Sequence, residues 1–256
     1  MQRDIIVVEN FYKDPDAVVE YAKTLPYYYP YQNKQLIDNG SIKPIWTTTK
    51  FTNFNDCPFR SSHELVEKLE SIVGEKIDRQ YWDRNLRLSK PEDIQSFYDE
   101  FVTEKIEYIQ SFKSSSKESS ANSFEASLWN GAFQTKLVSD QSEAIHNHIN
   151  DYWQCCGELG WAGVLYLSPN ADYSAGTKFW KNKTGNNDEW MTNHNNWDLV
   201  DTVGNVYNRL VLFRGNIPHS GSPGFGDSIK DGRLFQTFFF RTIEPGCLSP
   251  VEINLP

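Results

Sequence analysis

No stretch of this chain is apolar for the roughly 20 consecutive residues that a membrane-spanning helix needs. Cysteine is scarce: Cys57, Cys155, Cys156 and Cys247 are the only four, none in a C-x-x-C spacing. Four thiols in a chain of this length make no disulfide framework, and the adjacent Cys155 and Cys156 read as ordinary thiols. Positive charge is short as well. Lys and Arg number 25 against 34 Asp and Glu, a formal net charge of −9. That balance disfavours a broad nucleic-acid-binding face, because phosphate neutralisation needs clustered cations. The opening Met1-Gln2-Arg3-Asp4-Ile5-Ile6-Val7-Val8 lacks the apolar core and cleavage site of a signal peptide. These absences point to a soluble cytoplasmic protein without membrane or bulk nucleic acid as partner. Aromatic residues, by contrast, are plentiful: 16 Phe, 13 Tyr and 8 Trp in 256 residues. They favour β structure, and a chain this long buries a substantial core.

Ile5–Val8 reads as a strand. Asp14-Pro15 then supplies an N-cap and a proline at the first helical position. Ala17, Val18, Tyr21, Ala22 and Leu25 follow at helical spacing, and Pro26 ends the helix. Tyr27, Tyr28, Tyr29 and Tyr31 read as a covering loop. Ser61 and Glu64 form a capping-box pattern ahead of Leu65, Val66, Leu69, Ile72 and Val73, a second amphipathic helix. A third helix is predicted from Pro91 to about Phe112, and Lys113–Ser123 is Ser-rich and reads as an exposed loop. From Phe124 onward strand signals dominate: Ala126–Val138, Ala144–Asn150, Trp161–Leu167, Thr177–Trp180, Arg209–Arg214 and Arg233–Thr242. The expected fold class is α+β, mainly β: a double-stranded β-helix, or jelly roll, supported by N-terminal helices. A single domain over 1–256 is expected, with the strand and supporting helices in 1–123 and the jelly-roll core in 124–256.

Histidine is rare, and three of the five fall in two segments: Ile145-His146-Asn147-His148-Ile149-Asn150-Asp151 and Pro218-His219-Ser220-Gly221. Side chains alternate along a strand, so His146, His148 and Asn150 project one way. If that way is inward, two imidazoles stand side by side, and the turn carrying His219 supplies a third nitrogen. Three ligands on one face leave open positions, the arrangement of a catalytic metal. Arg233 opens a strand that is otherwise nearly all apolar. Burying a guanidinium is costly without a partner, and a bidentate carboxylate is the natural one. The hydroxyls of Tyr166 and Thr237 are placed to complete a carboxylate pocket. Any one of these residues alone has a blander reading, as a plain polar side chain or a structural ion pair. Their ordered combination on a β pattern is what points to a metal. His194 and His63 lack that context and read as surface residues.

At these residues the chain resembles the iron(II)/2-oxoglutarate-dependent dioxygenases, in their prolyl-hydroxylase-like branch. Val7 to Pro15 resembles their opening strand and helix; Trp161 to Asn170, the strand after the first metal ligands. Ser174 to Trp180 resembles the next turn and strand, and Pro218-His219 with Gly232-Arg233 the distal histidine and the arginine that grips the oxoacid. The resemblance implies Fe(II) and 2-oxoglutarate as cofactors, and His219 as the distal ligand. It makes Arg233 the clamp on the oxoacid's far carboxylate, with Tyr166 as its helper. It implies a small-molecule, amino-acid or peptide substrate hydroxylated at a C–H bond. The family's His-x-Asp is missing. One frame makes His146 and His148 the proximal ligands; the other uses His148 with Asp151, brought inward by a bulge, in place of His146. A three-histidine cupin-type dioxygenase needing no oxoacid, and a catalytically silent binding module on the same fold, are the alternatives.

Overall fold

The computed structural model describes residues 4–25, 27–28, 46–49, 57–79, 82, 130–139, 143–149, 156, 160–186, 194–228 and 230–243. Strand β1 (Ile5–Val8) leads into helix α1 (Pro15–Thr24). Asp14 accepts a hydrogen bond from the Ala17 N–H at 3.0 Å, and Pro15 occupies the first turn, where its missing N–H costs nothing. The buried stripe is Val18, Val19 and Ala22, one step round from the expected one, with Ala17 exposed. A short helix α2 (Pro58–Ser61) precedes α3 (His63–Val73). Ser61 ends α2, so the residue preceding α3 is Ser62 rather than the expected Ser61, and Ser62 makes no side-chain cap bond. Gly74 closes α3 in the left-handed conformation that favours glycine, its N–H bonded to the Glu70 carbonyl.

The strands follow as β2 (Tyr27–Tyr28), β3 (Trp46–Thr49), β4 (Lys76–Ile77), β5 (Phe133–Lys136), β6 (Trp161–Tyr166) and β7 (Thr177–Asn182). After them come β8 (Trp197–Val203), β9 (Leu210–Arg214), β10 (His219–Gly221), β11 (Arg233–Phe240) and β12 (Thr242–Ile243). Tyr27 and Tyr28 thus pair with β3 rather than forming the expected loop. The predicted helix 91–112 and the Ser-rich segment 113–123 lie outside the described residues. A seven-stranded sheet runs β1-β9-β6-β11-β5-β3-β2, and a three-stranded sheet runs β10-β7-β8. Every pairing in them is antiparallel. The described chain is mainly β with few helices, and none of its helices is long and apolar enough to cross a membrane.

The larger sheet is covered on both faces. Leu65 and Leu69 of α3 and Val18 and Ala22 of α1 pack with Leu165, Leu212, Phe238 and Phe240 into one core. The opposite face meets the smaller sheet: Phe179 of β7 stands edge-on to Phe213 of β9 at 5.3 Å, and Tyr166 bonds Thr177. Burial on both sides leaves every residue of β11 buried, its apolar Leu234, Phe235, Phe238, Phe239 and Phe240 interrupted by Gln236 and Thr237.

Candidate metal centre

The segment 143–149 is not the strand its alternation predicts. Only His146 pairs with a neighbour, exchanging N–H···O bonds of 3.0 and 2.9 Å with His219 of β10. The His148 N–H turns instead to the Gly215 carbonyl at 2.6 Å, and the Asn147 side chain accepts from the Ile149 N–H at 3.2 Å. Such local asparagine bonding competes with the ladder and bends the chain. His146 and His148 nevertheless reach the same place. With His219 their ligand nitrogens lie within 4.8 Å of one another, His148 and His219 buried and His146 half-buried.

Their ring orientations are fixed from behind. His146 Nδ1–H donates to the Ala144 carbonyl and His219 Nδ1–H to the Ile217 carbonyl, each at 2.9 Å. Each imidazole therefore presents its Nε2 lone pair, the arrangement that orients metal-bound histidines. His148 Nε2 stands 3.1 Å from His219 Nε2. Two nitrogens bound to one cation at about 2.1 Å, with a bond angle near 90°, would stand about 3.0 Å apart. The residues present thus fit a divalent metal. Phe213 packs 4.3 Å from the His219 ring, and Phe239 stands 4.9 Å from His148. Burial holds the His219 pKa well below the usual histidine range, and the neighbouring His146 and His148 push it the same way. His219 is accordingly neutral at pH 7 and able to ligate.

Arg233 lies 2% exposed on the face of β11 that also carries Phe235, Thr237 and Phe239. Its guanidinium meets main-chain oxygens: Nε donates to the Ala175 carbonyl at 2.7 Å and Nη2 to the Gly176 carbonyl at 3.1 Å. The turn before β7 curls these carbonyls onto the guanidinium. The Tyr166 ring lies 5.9 Å from the guanidinium, and its hydroxyl shares a 2.7 Å bond with Thr177. Burial raises the Tyr166 pKa, and the Arg233 charge offsets part of that. Thr237 Oγ1 accepts from Gln134 Nε2 at 2.7 Å. Lys136 went unnoticed in the sequence. It stands directly opposite Arg233 in the β5–β11 ladder, 7% exposed, its Nζ donating to the Ser222 carbonyl at 3.1 Å. The signal was a lysine inside a predicted strand, but no pattern told which face it took.

Asn150 and Asp151 lie outside the described residues, and with them the second ligand frame. His63 is exposed and pairs with Glu67 at 3.1 Å. His194 is exposed too, in a 3-10 turn (His194–Asn196). Cys57 and Cys156 are buried and form no disulfide.

No protein-family model and no curated protein matches the chain. Among solved structures it is similar to the non-heme alpha-ketoglutarate-dependent epimerase SnoN from nogalamycin biosynthesis, at 9% identity and a TM-score of 0.44. That similarity covers 92% of this chain and 77% of the other. A prolyl hydroxylase from Trichoplax adhaerens, in complex with a hypoxia inducible factor peptide fragment, gives 13% identity and a TM-score of 0.39 over 93% and 83% of the two chains. A Pseudomonas putida prolyl-4-hydroxylase gives 12% and 0.35 over 94% and 93%.

Proposed function

We propose that this chain is a non-haem iron(II)/2-oxoglutarate-dependent oxygenase on a double-stranded β-helix, hydroxylating a C–H bond of a small molecule, amino acid or peptide. One observation carries the reading: three imidazoles bring ligand nitrogens within 4.8 Å of one another on the interior face that also holds a buried arginine. His146, His148 and His219 would hold the metal, and Arg233 would hold the far carboxylate of the oxoacid. Iron, when bound, supplies the redox chemistry that couples dioxygen to oxidation of the oxoacid.

The chain's own residues do the rest. Ala144 and Ile217 hold the rings by their carbonyls, so no reorganisation is needed when the metal arrives. Phe213 and Phe239 keep water from the inner side of the ligands. Three neutral imidazoles leave both charges of a divalent ion uncompensated, which favours an anionic co-substrate. Arg233 and Lys136 add positive charge on the same face. The Arg233 Nη1 atom lies 3.6 Å from where a Cβ on Gly221 would stand. Gly221 is two residues along β10 from His219, roughly 7 Å of strand. A short dicarboxylate spans that separation. A second reading has its own support, because the clustered ligands are all histidines, as in cupin-type dioxygenases that need no oxoacid.

Calorimetric titration of 2-oxoglutarate into manganese-loaded protein, with succinate release under Fe(II) and air, separates the two. Wild type is expected to bind the oxoacid and form succinate. Arg233→Ala should weaken binding at least about tenfold, as loss of a charge-assisted pair predicts, and Arg233→Lys should recover part. Metal uptake with no 2-oxoglutarate binding would move the assignment to the second reading.

A further inference from the structure

His194 is exposed, yet its imidazole is docked at two points. Nε2–H donates to the Glu143 carbonyl at 2.9 Å, and the ring stands edge-on to Trp180 at 5.2 Å. Each contact leads to a different carrier of the clustered histidines. Glu143 opens the segment that holds His146 and His148, and the next carbonyl, of Ala144, fixes the His146 ring. Trp180 Nε1 donates to Ser220 Oγ at 2.9 Å, and Ser220 directly follows His219. Lys178 closes the arrangement. Its Nζ donates to Glu143 Oε1 at 2.7 Å, the two side chains 25% and 21% exposed, and Lys178 lies opposite Ser220 in the β7–β10 ladder. Thr177 and Phe179 point inward to Tyr166 and Phe213, so alternation sends Lys178 and Trp180 to the outer face of the smaller sheet.

The segment 143–149 needs such an anchor. Two ligands on a regular strand would be fixed by a continuous ladder, whereas this segment has a single bridge, at His146. A metal site tolerates displacements of only about 0.5 Å before its geometry is lost. We propose that His194, together with Lys178 and Trp180, is a positioning residue. It clamps Glu143 to the outer face of the β7–β10 ladder and so sets the spacing between the proximal histidines and His219. The proposal rests on the three-histidine metal reading given above. Without the clamp, the segment must be ordered as the metal binds, and affinity falls by that cost.

Cobalt(II) titration of the full chain, followed by the visible absorption of the bound ion, reads this directly, alongside urea denaturation of the metal-free protein. His194→Ala is expected to weaken Co(II) binding about three- to tenfold, the worth of one hydrogen bond, and to alter the band shape. The metal-free urea midpoint should stay put. His194→Gln, whose amide can donate to the same carbonyl, should restore most of the affinity, and Lys178→Met should weaken it. A merely structural role would shift the urea midpoint and leave Co(II) affinity unchanged, and that result overturns the clamp. A wild-type chain that takes up no Co(II) overturns the metal reading and the clamp together.

Discussion

An imidazole presents a lone pair at one nitrogen only if the other carries the proton. In His146 and His219 that proton is committed to a carbonyl two residues back, Ala144 in one case and Ile217 in the other. The local backbone thus selects the tautomer before any metal arrives. His148 belongs to both ligand frames, with His146 in one and with Asp151 in the other. Losing even an outer hydrogen-bond partner of a ligand costs about 10–100-fold in metal affinity, and losing the ligand itself should cost at least as much. His148→Ala is therefore expected to lower manganese or cobalt affinity by that factor or more, while His148→Asp, which keeps a donor in place, should retain binding. Unchanged metal affinity in His148→Ala would remove His148 from the ligand set.

Between elements, a charged tie joins α3 to the sheet. Glu75, just beyond Gly74, accepts from both terminal nitrogens of Arg214 on β9, one of the bonds at 3.2 Å. The guanidinium lies 4.0 Å over the Trp161 ring, which pre-orients it. Burial raises the Glu75 pKa, but the Arg214 bond and charge, with Thr242 and Trp161, outweigh it and leave the carboxyl below its ordinary value. A depressed folded-state pKa contributes stability above the unfolded-chain value, about 4.3 for glutamate. That contribution is lost as the pH falls from there through the lower folded value. Urea midpoints measured from pH 7 down to 3 should therefore fall in acid, and Glu75→Gln should be less stable at pH 7 but fall less steeply. Parallel pH profiles for the two proteins would show that the tie contributes nothing.

At the scale of the whole molecule, β11 divides two interiors with different tasks. Phe238 belongs to the core shared with the helices, whereas Phe239, its neighbour, faces the clustered histidines. Truncating a buried phenylalanine costs about 3–5 kcal/mol. Phe238→Ala should show that loss in urea denaturation while the folded protein keeps its metal affinity. Phe239→Ala should lower both, because it opens the space beside His148. Equal effects of the two substitutions on metal affinity would mean that the two faces are not separate. The same division explains what the sequence hid. Alternation is visible only where one face is polar, and β11 is buried on both, with polar residues on each: Arg233 and Thr237 toward the site, Gln236 toward Tyr12 and Phe59.

The sequence by itself determined the elements with strong local signals: β1, the proline-led α1, the apolar stripe of α3, and strands β6, β9 and β11 in the positions their patterns predict. It also singled out His146, His148 and His219, because histidine is rare and an i, i+2 pair is a local pattern. Only the tertiary structure brought the third imidazole beside the other two, since that contact depends on the pairing of His219 with His146 across 73 positions of chain. Tertiary structure alone also turned the 143–149 segment out of a ladder, set Lys136 opposite Arg233 and docked His194 on Glu143. Those outcomes depend on which strands become neighbours and on which carbonyls are left to bond, and neither is written in the local spacing of residues.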